Sequence, residues 1–466
     1  MKKIILLLIC LTTFSIATAQ KEADKWFFGN YVGLDFSTGT PLSINGSAIY
    51  TIEGCASICD ASGNLLFYTD GSTIWNKLNQ PMPNGTGLLA GSSCTQAALI
   101  VPQPGSDTLY YVFTNDEYGG PNGFRYSIVD MSLQGGSGDV TTTKNVLIQN
   151  TVTEKLTAVK QLGSNDYWVA VHAWGSDEFD VYGLTAAGLQ TNPVVSNTGI
   201  VHTMAQIQNT YGQMKFNPCG TKLALAAGYL NTVEIFDFNP LTGVVSNPIT
   251  LALPQHVYGL EFSTNGNMVY VTSYDSVQAA FLQFDISSGN PSTIMASQTV
   301  ISTTQDLYAL QLGPDRKIYV ARSFNSYIGA IDFPNLAGTA CNYVDMAVDV
   351  DPNFMGNLSA LGMPGFVQSL FRFETLCSVS GIEDNNQQQL TTIYPNPSNT
   401  DFTVRSAKEI STLHITDETG RTVALYQNID AVNSLRFGNQ LMPGVYMVFI
   451  TDEDGNNIVM KAIKSN

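Results

Sequence analysis

The sequence predicts an all-β protein in which a seven-bladed β-propeller is followed by a small antiparallel β-sandwich. Three observations predict this fold. A hairpin pattern recurs six times between residues 25 and 373, the two ends of that region supply parts of a seventh copy, and short alternating strands follow residue 391. Charged residues make up only 13% of the chain and Gly occurs 40 times, a composition that favours strands and turns over helices.

Each copy of the hairpin is a short apolar strand, a tight polar turn and a second strand rich in Tyr and Val. The copies span residues 55–68, 97–113, 156–171, 214–226, 260–271 and 310–320, with turns at Gly63, Gly105, Gly163, Gly220, Gly266 and the Asp315-Arg316 pair. A third strand is predicted at 233–243, 281–289 and 328–335. A period of about 40–50 residues with three or four strands is typical of a propeller blade.

The ends of the repeat region predict how the ring closes. Residues 31–39 resemble the third element of a blade without a first strand, and residues 361–370 resemble a first strand that no hairpin follows. Joined, they make one composite blade, so the six repeats and the composite give seven blades. Closure is needed because a lone blade cannot bury both faces of its sheet and leaves an edge exposed.

The N-terminus predicts a secretory signal peptide. Lys2 and Lys3 precede an apolar run at 4–11, and residues 17–19 form a small-x-small cleavage site. The run is far shorter than the ~20 residues of a membrane-spanning helix, and no later segment is long and apolar enough to span a bilayer. The predicted boundaries are a signal peptide at 1–19, the propeller at 20–374, a linker at 375–391 and the sandwich at 392–466.

Charge and cysteine content limit the classes of function. Removal of Lys2 and Lys3 takes the formal charge from −17 to −19, and this acidic excess argues against a nucleic-acid partner, whose phosphates require Lys and Arg. Six cysteines remain in the mature chain: Cys55, Cys59, Cys94, Cys219, Cys341 and Cys377. An even number in an oxidising compartment permits disulfides, but spacing gives no connectivity, and free buried cysteines remain the alternative.

The C-terminal module has its own strand pattern. Short strands are predicted at 402–404, 413–415, 423–426, 445–450 and 458–463, with turns at 418–420 and 454–455. Three motifs stand out in it: Tyr394-Pro395-Asn396-Pro397, Met442-Pro443-Gly444-Val445-Tyr446 and Lys461-Ala462-Ile463-Lys464.

With these motifs the module resembles the type A C-terminal sorting domain of the Bacteroidetes type IX secretion system. The sorting signal would then include Tyr394, Pro395, Asn396, Pro397, Gly444, Tyr446, Lys461 and Lys464. The resemblance implies translocation by the type IX machinery, a secreted or surface-attached location, and in many cases removal of the module. An ordinary accessory β domain is the alternative.

The repeat region is similar to a propeller-type domain of exported and gliding-associated Bacteroidetes proteins. The matching segments are residues 53–55, 67–71, 75–76, 82–85 and 340–345. This resemblance supports the fold and the extracellular compartment, and it implies no activity.

The register of the repeat predicts a ligand-binding rim. In a propeller the first strand of each blade is innermost and begins at one end of the central channel. Aligning the copies places six residues just before that strand: Glu53, Gln96, Lys155, Tyr211, Tyr258 and Tyr308. Polar and aromatic groups that converge in a concave opening are the usual composition of a ligand site. The alternative is that the tyrosines fill the inner core of the ring.

No catalytic constellation stands out. Three of the four histidines, His172, His202 and His256, fall in the propeller region, and none has metal-ligand spacing. The chain lacks a GxSxG elbow, a phosphate-binding Walker loop and a calcium-binding DxDxDG loop. We therefore predict no catalytic residue, no metal ligand and no cofactor, and the sequence leaves enzymatic activity open while favouring its absence.

Three functions fit these observations. The first is a surface binding or adhesion module with a glycan or protein ligand. The second is a secreted propeller enzyme that acts on glycans as a glycosidase or lyase, for which Glu53 and Glu154 are the acidic candidates. The third is a structural component of a surface or motility assembly.

Overall fold

The computed structural model describes residues 20–275, 278–372, 392–417, 421–452 and 457–465. The chain divides into two compact units, Met1–Cys377 and Ser378–Asn466. The signal peptide expected at 1–19 and the linker expected at 375–391 lie outside the described residues. Within the described ranges, no helix has the length and apolar character needed to cross a membrane.

The first unit contains seven β-sheets in chain order, beginning with an N-terminal sheet of three strands. That sheet consists of β1 (Lys25–Phe28), β2 (Val32–Asp35) and β3 (Leu42–Ser43). The second sheet contains β4 (Cys55–Cys59), β5 (Leu65–Thr69), β6 (Thr73–Asn76) and β7 (Pro81–Thr86). The third contains β8 (Ala98–Pro102), β9 (Leu109–Asn115), β10 (Phe124–Asp130), β11 (Asp139–Val140) and β12 (Val146–Gln149).

The remaining four sheets repeat the same meander. The fourth contains β13 (Val152–Lys160), β14 (Tyr167–Ala173), β15 (Glu178–Thr185), β16 (Gly188–Leu189) and β17 (Val194–Asn197). The fifth contains β18 (Met214–Phe216), β19 (Lys222–Ala227), β20 (Thr232–Phe238) and β21 (Val245–Ala252). The sixth contains β22 (His256–Phe262), β23 (Met268–Tyr274), β24 (Ala279–Asp285) and β25 (Thr299–Ser302). The seventh contains β26 (Leu307–Leu312), β27 (Ile318–Arg322), β28 (Tyr327–Ile331) and β29 (Tyr343–Asp349).

In the part of the chain that the structure describes, helical structure is confined to short connections. One α-helix, α1 (Pro291–Ala296), is capped by the Asn290 side chain, which accepts from the Thr293 N–H. The 3-10 turns are Lys21–Ala23, Glu117–Gly119, Gln134–Gly136, Ile207–Thr210, Gly228–Leu230, Gly338–Cys341 and Gln368–Phe371. The seven-bladed, all-β propeller predicted from the repeat is therefore confirmed.

The hairpin turns lie where the sequence predicts them. Each joins the first and second strands of a sheet, and each marker residue has a positive φ: Gly63, Gly105, Gly163, Gly220, Gly266 and Arg316. Glycine adopts this left-handed conformation without the steric penalty of a β-carbon, which explains its recurrence at the same point of the repeat. Arg316 adopts it with φ 70°.

The ring closes through aromatic packing between the first and seventh sheets. Trp26 of β1 is fully buried and packs edge-on against Tyr319 of β27, with ring centroids 5.5 Å apart. Phe366, near the end of the propeller, also packs against Trp26, with ring centroids 5.7 Å apart. N-terminal and C-terminal residues thus share one core with the seventh sheet, as the composite blade requires.

A closing segment, residues 361–371, runs along the first strands of several sheets. Its Leu361 carbonyl accepts from Ala309 of β26, and β30 (Pro364–Gly365) pairs in parallel with Cys55 and Ala56 of β4. Further on, Val367 forms a bridge with Ala158 of β13. Because these first strands line the channel, the segment occupies the channel itself. The closing segment runs in the direction expected of an innermost strand. Its strand β30, however, pairs with β4 of the second sheet.

The second unit is an antiparallel sheet of five strands folded over its own core. It contains β31 (Thr392–Tyr394), β32 (Phe402–Asp417), β33 (Thr422–Phe437), β34 (Gly444–Asp452) and β35 (Asn457–Lys464). Residues 402–404 and 413–415, predicted as separate strands, both belong to β32. The pairing register of β32 shifts between Arg405 and Thr412, which interrupts the alternation of apolar residues. The predicted turns at 418–420 and 454–455 lie outside the described residues.

Candidate functional site

The mouth of the channel is the end of the ring at which the first strand of each sheet begins. Loops between second and third strands open at the same end, because successive strands alternate in direction. Of the six residues predicted for the rim, Glu53, Tyr211, Tyr258 and Tyr308 lie here, whereas the side chains of Gln96 and Lys155 turn into the ring. The Tyr258 hydroxyl donates to Glu53 at 3.0 Å, and the ring of Tyr258 meets that of Tyr308 edge-on at 5.4 Å. Lys155 donates to the Tyr211 carbonyl at 2.7 Å.

Glu53 is almost completely buried at the mouth, with 7% of its surface exposed. One carboxylate oxygen accepts from the Ser93 hydroxyl at 3.0 Å and the other from Tyr258. Burial, reinforced by the neighbouring Glu154 carboxylate, raises the pKa of Glu53 to about 8. Glu53 is therefore largely protonated at neutral pH.

Glu154 is fully buried and surrounded by donors. One oxygen accepts from the Tyr118 N–H and the Thr210 hydroxyl, both at 3.0 Å. The other accepts from the N–H and hydroxyl of Thr95, at 2.9 and 2.8 Å. Burial raises its pKa even so. These contacts tie together three loops of the mouth and leave no exposed oxygen for chemistry.

A third carboxylate, Glu117, completes the acidic group. It is half-buried, and one of its oxygens accepts from the Ser93 N–H at 2.6 Å. Ser93 therefore bridges Glu117 and Glu53 through its backbone and its side chain.

Gln96 braces the ring from inside. Its side-chain oxygen accepts from the N–H groups of Leu156 and Met214, on the first strands of the next two sheets, at 3.2 and 2.8 Å. Gln213 repeats the arrangement two sheets later with Leu260 and Leu310. The register shifts just before Leu156, Leu260 and Leu310, so these N–H groups lack ladder partners and need a side-chain acceptor.

Lys155 is also withdrawn from the mouth. It is fully buried, and its ammonium donates to the carbonyls of Thr210 and Tyr211 at 3.0 and 2.7 Å. Burial lowers the pKa of Lys155 to about 7. Its contacts hold the loop before β18 in place, which is a structural role.

An arc of seven aromatic rings borders the carboxylates. In order it contains Tyr118, Tyr211, Tyr229, His256, Tyr274, Tyr308 and Tyr258, with successive centroids 5.8, 6.3, 3.7, 6.1, 5.5 and 5.4 Å apart. Tyr229 and His256 are stacked, with planes 9° apart. Tyr258 is buried, while the other six rings are partly exposed to solvent. The aromatic arc is thus a continuous surface contributed by the third, fifth, sixth and seventh sheets.

Four members of the arc were missed by the sequence analysis: Tyr118, Tyr229, His256 and Tyr274. Three of them share one position in the repeat, at or just after the end of the second strand, where the next loop opens at the mouth. An alignment of the ends of the second strands, like the alignment of first-strand starts that predicted the rim, brings these three tyrosines to one position of the repeat. His256 begins the first strand of the sixth sheet and belongs to the register already used.

The space beneath the mouth is filled. Between the closing segment and the first strands, a cavity of about 10 Å³ remains, lined in part by Gln96, Gln213 and Met363. Such a cavity has at most room for one water molecule. A larger cleft of about 300 Å³ lies away from the mouth, between residues 40–43 of the first sheet and residues 347–349 of the seventh.

His172 and His202 form a buried pair that their sequence spacing did not reveal. Their rings lie 4.1 Å apart. Burial lowers the pKa of His172 to about 3 and that of His202 well below its usual value. Among the residues that the structure describes, no group of three or more His, Cys, Asp or Glu is arranged to hold a metal ion. Cys219 is disulfide-bonded, while Cys55, Cys59, Cys94 and Cys341 are buried free thiols.

The motifs of the C-terminal unit meet along β35. Asn396 accepts from the Ile463 N–H at 2.9 Å, and Gly444 pairs with Lys464. Lys464 is buried, with its ammonium donating to the Gly438 carbonyl at 2.9 Å. The Tyr446 hydroxyl donates to the Met442 carbonyl at 2.7 Å. These motif residues therefore stabilise the unit, while Tyr394 and Met442 are well exposed.

Residues 392–465 match the family described as the secretion system C-terminal sorting domain. No curated protein sequence matches the chain. The sorting domain directs secretion by the type IX system and attachment to the surface, and it implies contact with the type IX machinery. The earlier resemblance of this module is thereby confirmed.

Solved structures similar to the chain include three bacterial proteins. A Lactobacillus plantarum protein is 14% identical, with a TM-score of 0.45, covering 73% of this chain and 98% of its own. A putative 6-phosphogluconolactonase from Bacteroides fragilis is 13% identical, with a TM-score of 0.37 and coverages of 89% and 94%. The periplasmic gluconolactonase of Pseudomonas aeruginosa is 12% identical, with a TM-score of 0.35 and coverages of 77% and 97%.

Proposed function

We propose that this chain, exported through its type IX sorting domain at residues 392–465, is a cell-surface binding module that holds a glycan on the aromatic arc. The support for this proposal is the set of tyrosine rings in the aromatic arc. A tyrosine offers an apolar ring face to the C–H groups of a sugar and a hydroxyl to its OH groups. The six partly exposed rings give enough surface for several sugar units, with the half-buried Glu117 beside them as an acceptor for sugar hydroxyls.

The filled channel favours an extended ligand. Because the closing segment occupies the channel, a ligand lies across the mouth instead of entering a deep pocket. An open platform suits a polymer bound along its length.

Glu53 also supports an enzyme as a second candidate. A carboxyl with its pKa raised to about 8 is suited to act as a general acid, as one carboxyl of a glycosidase does. The partner required by such a mechanism is less favourable here, because Glu154 is fully buried and its two oxygens accept four hydrogen bonds. We therefore prefer binding to hydrolysis.

A glycan array probed with the mature chain tests the proposal. Tyr229→Ala removes the most accessible ring of the arc, and Phe333→Ala is its control. Phe333 is 56% exposed and follows β28 at the end of the ring opposite the mouth. We expect binding to at least one glycan class, weakened at least tenfold by Tyr229→Ala and unchanged by Phe333→Ala. Absence of glycan binding, or equal binding by Tyr229→Ala, contradicts the proposal.

Hydrolysis of the bound glycan distinguishes the two candidates. We expect the wild-type chain to leave the glycan intact. Release of shortened oligosaccharides by the wild type, abolished in Glu53→Gln, supports the enzyme and contradicts a module that only binds.

A further inference from the structure

We propose that the glycan held at the mouth carries free amino groups, so that its ammonium groups meet the carboxylates while its sugar rings lie on the aromatic arc. This inference rests on the proposed function and specifies the ligand class. It requires a polymer that contains hexosamine units with unsubstituted amines, as opposed to one of neutral or N-acetylated sugars.

The aromatic arc is the first support. The faces of tyrosine rings carry negative electrostatic potential and attract ammonium groups within about 6 Å of the ring centroid. Consecutive ring centroids of the arc lie 3.7–6.3 Å apart, so an ammonium on the exposed face of one ring also lies close to the neighbouring ring. The same rings that stack on sugars therefore also favour a positively charged substituent.

The position of Glu53 is the second support. Burial is the main cause that raises the pKa values of the Tyr211, Tyr258, Tyr274 and Tyr308 hydroxyls, and the nearby Glu53 carboxyl adds to each increase. Glu117 is linked to Glu53 through Ser93, whose N–H donates to Glu117 and whose hydroxyl donates to Glu53. An ammonium that arrives beside Glu53 favours its ionised form and offsets the repulsion between Glu53 and Glu154.

The basic side chains near the mouth do not neutralise these carboxylates. Lys155 is buried against two carbonyls. Arg322, at the end of β27, lies 3.3 Å from Asp345. Among the described residues, no ion pair joins Glu53, Glu117 or Glu154 to a Lys or Arg side chain.

One buried acceptor near Glu117 lacks a donor. Asn115, two residues before Glu117, is fully buried and donates to the carbonyls of Thr153 and Lys155. Its side-chain oxygen has no hydrogen-bond donor among the residues described. This unpartnered acceptor is independent of the rings and of the carboxylates. An ammonium, with three N–H groups, is a donor of the kind that such an acceptor lacks.

Two oligosaccharides of equal length provide the test: a hexamer of glucosamine and a hexamer of N-acetylglucosamine. Calorimetric titration of the mature chain at about pH 6, below the pKa of primary amines, compares their affinities. We expect the glucosamine hexamer to bind at least tenfold more tightly at low salt, and this preference to shrink as salt is added. Hexalysine, with the same number of side-chain charges and no sugar rings, is expected to bind more weakly than the glucosamine hexamer.

Glu117→Gln is the informative variant. It removes one charge while keeping an oxygen that accepts from Ser93. We expect it to reduce the preference for glucosamine at least threefold. Asp107→Asn is the matched control, because Asp107 is exposed in the hairpin turn before β9, at the opposite end of the ring. It should leave the preference unchanged.

The outcomes separate this inference from the proposed function. Equal affinity for the two hexamers, tighter binding of the acetylated one, or array binding limited to neutral and acidic glycans overturns the inference and leaves glycan binding standing. Hexalysine that binds as tightly as the glucosamine hexamer also overturns it, since the sugar rings then contribute nothing. Failure to bind any glycan overturns both.

Discussion

The Tyr258 hydroxyl donates to Glu53 across the mouth at 3.0 Å and joins the sixth sheet to the second, 205 residues apart in sequence. Its partner is a carboxyl that burial keeps largely protonated at neutral pH. This contact places a titratable group at the point where the aromatic arc meets the first strands. It therefore links the stability of the ring to the chemistry of the mouth.

The first prediction concerns Glu53→Gln and pH. The folded pKa of Glu53, about 8, lies above its usual value of 4.5. Its stabilising contribution is complete below the unfolded pKa and is lost as the pH rises through the folded pKa. Between about pH 5 and pH 9, the wild type should lose at least 1 kcal/mol relative to Glu53→Gln, since one pKa unit corresponds to about 1.4 kcal/mol. Urea unfolding of both proteins measures this. Parallel pH profiles would refute it, and Asp107→Asn is the control.

The second prediction concerns the closing segment. Phe366 is buried against Trp26 and Phe371, so Phe366→Ala should lower the free energy of unfolding by about 3–5 kcal/mol. Phe354 precedes the same segment but is 93% exposed, and Phe354→Ala should cost less than about 0.5 kcal/mol. Tryptophan fluorescence follows the propeller alone, because all four tryptophans lie in it. Similar costs for both variants would show that the segment does not hold the ring.

The third prediction concerns the buried charge pair inside the channel. Lys215 lies 3.3 Å from Glu261 and donates to Gln311, joining the first strands of the fifth, sixth and seventh sheets. Lys215→Met leaves Glu261 buried without its partner and should cost about 3–5 kcal/mol in unfolding free energy. Adding Glu261→Gln should recover at least about 1 kcal/mol.

A surface pair provides the comparison. Lys222 and Asp237 lie in the same fifth sheet, each with about a third of its side chain exposed. Lys222→Met should cost less than about 1 kcal/mol, because solvent screens exposed pairs. If Lys215→Met is equally mild, the network in the channel is not a buried ion pair.

The fourth prediction concerns acid stability. Burial depresses the pKa values of His172 and His202, so the stability present above the unfolded pKa of 6.5 is lost as the pH falls toward about 3. At about pH 5, each histidine should account for a loss of about 2 kcal/mol. His202→Phe should roughly halve the loss between pH 7 and pH 5, measured by tryptophan fluorescence in urea. The same loss in His202→Phe and the wild type would contradict this, and His414→Gln in the sorting domain is the control.

Local signals made the propeller predictable. Six turns with positive φ repeat at one point of the hairpin, and glycine or a polar pair marks each of them. The path of the closing segment was less accessible, because the pairing of Pro364 with Cys55 is parallel and joins distant parts of the chain. The sequence predicts two short strands where the structure has the single strand β32. The register shifts of β32 disturb the alternation of apolar residues on which strand prediction depends.

The site was predictable only in part, for a related reason. The starts of the first strands follow from the repeat, which brought Glu53 and Tyr258 to one place. The use of Gln96 as a brace depends in part on a bulge that frees the Leu156 N–H group, and a bulge leaves little trace in sequence. Glu117 escaped notice because it lies in a loop after a second strand, outside the alignment of first strands.

A crystal structure of the mature chain with the oligosaccharide that binds most tightly tests the central claim most directly. We expect sugar rings against Tyr229 and Tyr308, across a mouth whose channel is still filled by residues 361–371. A sugar bound in the cleft beside residues 40–43, or anywhere else away from the aromatic arc, would contradict it.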